Sequence, residues 1–219
     1  MTPHKWSRWD TPGRTIYGGT SAEGAFIEVI EYIRPDPPDT PLSELFDDVA
    51  VGDAPTFADQ VARELQGCGG MKYRSIPRGW RDAQKLYELQ LPADGWFVDV
   101  TGANSIAALD LACPQILRRF DIKQLALAHL TDPEPESRRL TTALAAFLRE
   151  HVVLDDGSVP HGVIYPSKWG STVQNVAMWM RRTDDGTGED PIGVAQEHTI
   201  GIDHPALVAA ARLRGMTIY

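Results

Sequence analysis

Four prolines in seven residues, at 35, 37, 38 and 41, forbid regular structure across PDPPDTP. Each lacks an N–H donor and disfavours helix in the residue before it. Whatever precedes this stretch must end there, and whatever follows must start anew. Upstream, GRTIYGG (13–19) reads as a short strand closing on a glycine turn. Thr20 and Glu23 then have the T-x-x-E spacing of a capping box. Ala22, Phe26, Val29, Ile30 and Ile33 recur at helical spacing until Pro35 stops them. Downstream, Thr56 is the candidate N-cap of a second helix with the stripe Phe57, Val61 and Leu65, ended by Gly67.

Beyond residue 70 the periods mix. Residues 71–91 alternate weakly and read as strand, turn, strand. GWFVDVTG (95–102) is a compact apolar strand run. Residues 104–118 and 141–151 read as helices, separated by the acidic loop TDPEPES. HGVIYPS (161–167) and Asn175–Met180 read as strands, the latter with Val176, Met178 and Met180 alternating against Ala177 and Trp179. After the polar loop 183–191 come a strand at 198–202, a helix from His204 to Leu213 capped by Asp203, and a final strand MTIY. Strands and helices intermix without strict β-α-β-α alternation, so the expected class is α+β.

The 219 residues fit one domain, 1–219, able to bury about 70% of its extended surface. No apolar run approaches ~18 residues, and the N-terminus has no apolar secretory core; a cytoplasmic protein without membrane contact is expected. Thirty acids against 21 bases give a net charge of −9. A phosphate backbone would be repelled at long range, which argues against direct nucleic-acid binding. Cys68 and Cys113 form no C-x-x-C pair and read as reduced thiols.

Familiar catalytic signatures are missing. There is no G-x-G-x-x-G, and Gly19 to Gly24 has phosphate-loop spacing with Ala25 and Phe26 where Lys and Ser/Thr would stand. No H-E-x-x-H, G-x-S-x-G or S-x-x-K occurs, and the loop 184–190 lacks the order of a calcium loop. His198 and His204 beside Glu197 and Asp203 read as a strand edge and a helix cap, so no metal is expected.

Four stretches remain: Arg8-Trp9-Asp10 with Pro12-Gly13; Ile16-Tyr17-Gly18-Gly19; Ala25-Phe26-Ile27-Glu28-Val29; and Gly162-Val163-Ile164-Tyr165-Pro166-Ser167-Lys168 followed by Asn175-Val176-Ala177. WFVDVTG and Leu140-Thr141-Thr142-Ala143-Leu144 stand between them. In this order and spacing they resemble the RES domain, across about residues 5–181; 183–219 would complete the domain as strand, helix, strand. The resemblance implies an ADP-ribosyltransferase-like fold, two small mixed or antiparallel sheets flanked by helices. It implies an NAD-degrading enzyme, a phosphorylase or glycohydrolase acting on the nicotinamide–ribose bond, and the toxin of a bacterial toxin–antitoxin pair. The partners it implies are NAD as substrate, phosphate as a possible co-substrate, a cognate antitoxin protein and a possible homo-oligomer, with no cofactor. Alternatives are a mono-ADP-ribosyltransferase and a non-catalytic module that binds a nucleotide or an antitoxin.

By position, Arg8, Tyr17, Glu28 and Ser167 match the family's pocket residues. Cleavage of an N-glycosidic bond builds positive charge on the ribose, which a carboxylate such as Glu28 stabilises. Arg8 suits a two-pronged grip on phosphate oxygens. Tyr17 offers a ring for nicotinamide stacking and a hydroxyl. Ser167 donates to a phosphate or ribose oxygen, and Lys168, Trp9 and Asn175 complete the candidate substrate contacts. Family members carry an earlier arginine upstream of the R-W element; here His4 and Lys5 stand in that stretch. A net-acidic chain that binds a dinucleotide must concentrate its bases, so Arg8 and Lys168 are expected to share one pocket. Taken singly, each residue also has a plainer reading: Glu28 as a solvated charge, Arg8 as a surface arginine, Tyr17 and Trp9 as packing, and Ser167 as a turn residue.

Overall fold

The computed structural model describes residues 6–33, 35, 37–50, 52, 55–68, 71–91, 96–182, 190 and 192–219, with the side chains of 66 and 68 excepted. His4, Lys5, the side chain of Cys68 and most of the loop 183–191 lie outside them. The described chain is mixed α+β, with nine helices and small sheets. It divides into two compact units, Met1–Ala25 with Tyr87–Gln196, and Phe26–Leu86 with Glu197–Tyr219.

The first unit is organised by a four-stranded sheet. Its strands are β1 (Arg14–Gly19), β4 (Phe97–Asp99), β5 (Gly162–Ser167) and β6 (Gly170–Met180), in the order β1-β6-β5-β4. β6 runs antiparallel to both β1 and β5, while β4 and β5 are parallel. A parallel pair needs a crossover, and α5 (Ala103–Ala112), α6 (Pro114–Arg119), α7 (Leu127–Thr131) and α8 (Pro135–His151) supply it. Tyr17 stands opposite Ala177, and Ala177 opposite Val163; Gly19 stands opposite Asn175, and Asn175 opposite Tyr165. Since successive side chains alternate, these residues share one face with Trp179. That face joins the core built by Val163, Ala177 and Trp179 with Trp9, Leu109, Leu117, Leu140, Leu144 and Leu148.

Gly162 marks where the sheet tolerates no side chain. A Cβ there would lie 2.0 Å from the Ala177 carbonyl oxygen. The glycine that opens the G-V-I-Y-P-S-K run therefore lets β5 lie close against β6.

The second unit holds α2 (Leu42–Leu45), α3 (Phe57–Cys68), α4 (Arg78–Ala83), α9 (Pro205–Leu213) and the parallel pair β2 (Ser75–Ile76) and β8 (Thr217–Ile218). Its buried apolar residues include Phe26, Ile27, Ile30, Ile76, Ile200, Leu207 and Ala210. A partly buried ion pair joins Arg214 to Glu31. α1 (Ala22–Ile30) spans the boundary between the units, as do β3 (Lys85–Gln90) and β7 (Gly193–Thr199), which pair with each other.

Several local expectations are corrected. The Ser21 hydroxyl, not that of Thr20, accepts a first-turn N–H of α1, from Gly24 at 3.1 Å; the Thr20 hydroxyl donates to the Gln174 carbonyl. Ile27 is buried in α1 while Val29 is 48% exposed, because the inward arc turns one residue from the expected stripe. Residues 78–83 are helical, not a turn between strands. Their helix starts at Pro77, whose fixed φ suits a helix entrance, and is too short to show a period. α8 begins at Pro135, within the expected acidic loop, since proline is well placed in a first helical turn. The late strand covers Gly193–Thr199 in place of 198–202, and α9 has His204 at its N-cap with no side-chain capping bond from Asp203. At Thr56 the expected cap holds: its hydroxyl accepts the Asp59 N–H, and the Asp59 carboxylate accepts the Thr56 N–H.

Candidate functional site

The first unit gathers three of the predicted residues, Arg8, Trp9 and Tyr17, around the start of the chain. Trp9 is fully buried, and its carbonyl accepts the Trp179 indole N–H at 3.1 Å. Its ring lies 6.0 Å from that of Tyr165. The Trp9 indole N–H is itself buried without a hydrogen-bond partner among the described residues.

This anchor fixes its neighbours. The Trp9 backbone N–H donates to the Tyr17 hydroxyl at 3.2 Å, and that hydroxyl donates to Asp10 Oδ1 at 2.8 Å. The other Asp10 oxygen accepts the Ser7 N–H at 2.6 Å. Tyr17 nevertheless keeps 38% of its surface exposed. Burial of its hydroxyl end, followed by the adjacent Asp10 carboxylate, pushes the phenol well above its ordinary pKa.

Arg8 lies between the two anchored peptides and is half-buried. Its Nη1 donates to the Leu130 carbonyl at 2.5 Å and its Nη2 to the Asp132 carbonyl at 2.7 Å. Those oxygens belong to the C-terminal end of α7, where carbonyls carry negative partial charge. Desolvation lowers the Arg8 pKa; Tyr165 and Asp132 oppose that shift and Arg138 adds to it. A guanidinium has five N–H donors, so two bonds leave three for another acceptor.

The far end of the G-V-I-Y-P-S-K run is a hairpin turn. Ser167 is buried, and its hydroxyl accepts the Trp169 N–H at 3.0 Å, closing the connection from β5 to β6 at a register shift after Pro166. Lys168 is exposed, with its ammonium 4.2 Å from the centre of the Trp169 ring. Asn175 is buried in the row that also holds Tyr165 and Gly19. Glu28 belongs to the second unit, half-buried on α1.

The sequence reading passed over Asp10, Asp132 and Tyr165 as site residues. Asp10 had a signal, since it follows the R-W pair directly. The contacts of Arg8 with residues 130 and 132 had none, because they span more than 120 positions.

A separate open cleft of about 580 Å³ lies in the second unit, and none of the predicted site residues lines it. Its cations are engaged locally: Arg78 with Asp82, Lys85 with Glu197, and buried Arg81 with the carbonyls of Tyr219 and Ile200. Among the described residues no cluster of His, Cys, Asp or Glu could hold a metal ion, and no helix is long and apolar enough to cross a membrane. Comparison with family models, with curated proteins and with solved structures gives no match for this chain.

Proposed function

We propose that this chain, on an ADP-ribosyltransferase-like fold, cleaves the nicotinamide–ribose bond of NAD and acts in the cytoplasm as the toxin of a toxin–antitoxin pair. The observation that carries the reading is Tyr17. It is a large ring left 38% exposed, with its hydroxyl fixed 3.2 Å from the peptide N–H that follows Arg8. A ring fixed through its hydroxyl to the peptide after an arginine that has donors to spare suits a ligand with a flat cationic ring and a diphosphate.

In this reading Tyr17 stacks on the nicotinamide, and Arg8 directs its remaining N–H groups at phosphate oxygens. Its two carbonyl bonds hold the fork in place, so little side-chain freedom is lost on binding. Asn175 lies on β6 and Ser167 at the end of β5, the next strands of the sheet from β1, with Lys168 adding positive charge at the turn. Charge developing on the ribose calls for a carboxylate, the role that the sequence resemblance assigns to Glu28. The C–N bond breaks, nicotinamide leaves with the electron pair, and the ribosyl carbon is captured by an oxygen of water or phosphate. Capture of water releases one proton. A cognate antitoxin protein would act by blocking access to this pocket.

The test is nicotinamide release from NAD by the purified chain, with and without inorganic phosphate. Release by the wild type, reduced about 100-fold in Glu28→Gln, is expected. No release by the wild type, or full release by Glu28→Gln, refutes the reading. Labelled ADP-ribose ending on a protein or nucleic acid would replace it with a transferase, and NAD bound without turnover with a binding module.

A further inference from the structure

We infer that Asp10 is the positioning residue of this site, holding Arg8 and Tyr17 in register with each other. The inference rests on the NAD-cleaving reading and names a residue that reading does not use. Asp10 is placed to do this because both of its carboxylate oxygens are engaged on opposite sides of Arg8. One accepts the Ser7 N–H at 2.6 Å, on the peptide that joins Trp6 to Ser7, one residue before Arg8. The other accepts the Tyr17 hydroxyl at 2.8 Å, and that hydroxyl accepts the Trp9 N–H at 3.2 Å, on the peptide just after Arg8. The backbone on either side of Arg8 and the tip of the Tyr17 ring are thus tied to a single carboxylate.

The tie is fixed to the core at one point. Trp9 is fully buried, and its carbonyl takes the Trp179 indole N–H, so this segment cannot slide along the sheet. The arrangement also determines what the Tyr17 hydroxyl can do. Its only hydrogen is donated to Asp10, and one lone pair is taken by the Trp9 N–H. It therefore meets a ligand through its ring face and not as a donor. An amide at position 10 weakens the tie and reverses part of it. Its oxygen accepts as a neutral group, and its NH2 must replace the Tyr17 O–H as the donor, which frees the phenol hydrogen. Asp10 touches no substrate in this scheme and acts through its two neighbours.

The experiment is a kinetic cycle of wild type, Asp10→Asn, Tyr17→Phe and the double variant, followed by nicotinamide release from NAD, with the thermal midpoint of each variant measured alongside. Asp10→Asn is expected to raise KM at least tenfold, and the double variant to be little worse than either single one. A structural role alone would lower the midpoint and leave KM and the additivity unchanged. Asp10→Asn with wild-type KM, or effects of the two substitutions that simply multiply, overturns the inference while leaving the NAD reading standing. A wild type that releases no nicotinamide overturns both. Should Asp10→Asn not fold, Tyr17→Phe decides: unchanged KM on loss of the hydroxyl overturns the inference, and a raised KM with an unaltered midpoint supports it.

Discussion

Each unit of this protein contains an arginine that reaches across the fold to backbone carbonyls, and the two differ in what surrounds them. Arg81, in the second unit, is 7% exposed and donates to the carbonyls of Tyr219 and Ile200, tying together segments from the C-terminal part of the chain. Arg8, in the first unit, makes two such bonds, yet it is only half-buried, and the peptide that follows it donates to the hydroxyl of a partly exposed tyrosine. Charged hydrogen bonds to carbonyls hold both forks. Arg81 is almost wholly buried in the wall of a cleft; Arg8 is only half-buried. A long-range arginine clamp is thus no mark of a site by itself. The remaining exposure, and the tyrosine hydroxyl bonded to the next peptide, are what set Arg8 apart.

The contrast can be sharpened by substitution. The largest effect is expected at Gly162, in the sheet of the first unit, where a methyl group would meet the Ala177 carbonyl oxygen. Gly162→Ala should cost more than about 3 kcal/mol in denaturant unfolding, because backbone must move to relieve the overlap. Arg81→Ala should cost about 2–4 kcal/mol, since it strips partners from carbonyls beside a buried group. It should leave the residual nicotinamide release per folded molecule unchanged. Arg8→Lys should invert that pattern, with a stability loss of about 1 kcal/mol and a drop of tenfold or more in nicotinamide release, since an ammonium cannot copy the fork. If Arg8→Lys loses only stability and Arg81→Ala loses only turnover, the contrast is wrong.

Alkaline pH gives a smaller effect. Tyr17 and Cys113 both have raised folded-state pKa values, Cys113 moved by burial from 9.0 to about 11. A raised value means the folded state holds its proton more tightly, so this contribution is complete below about pH 9 and is lost as pH rises through the folded values. The thermal midpoint should fall above pH 9. Cys113→Ala should remove the part of that fall between about pH 9 and 11, and Tyr17→Phe the part at higher pH. The smallest effect is expected for Lys168→Ala: its side chain is exposed at the hairpin turn, and the change in stability should stay within about 0.5 kcal/mol.

The sequence showed best what is written in short-range periodicity. Val176 to Met180 alternates, and β6 lies there; Thr56 has a capping residue's chemistry, and a helix begins there. Arg78–Ala83 failed because a six-residue helix has no room for a hydrophobic period, and its one inward residue is an arginine. The site divides in the same way. Asp10, Trp9 and Tyr17 lie within nine positions, and their hydrogen bonds are local enough for a motif to encode. The partners of Arg8 and Arg81 lie more than 100 positions away, and only the folded chain brings them together. Burial was equally hidden: Trp9 and Tyr17 are aromatic residues of neighbouring stretches, yet one is fully enclosed and the other 38% exposed.

Hydrogen exchange in the presence and absence of NAD tests the central claim most directly, because it shows which of the two units meets the ligand. The account predicts slowed exchange at amides 7–10 and 16–18 and along the β5–β6 hairpin, lost in Arg8→Lys, with amides 78–85 and 199–202 unchanged. Slowed exchange around 78–85 and 199–202, with 7–18 unaffected, would place the ligand in the cleft beside Arg81 and contradict it.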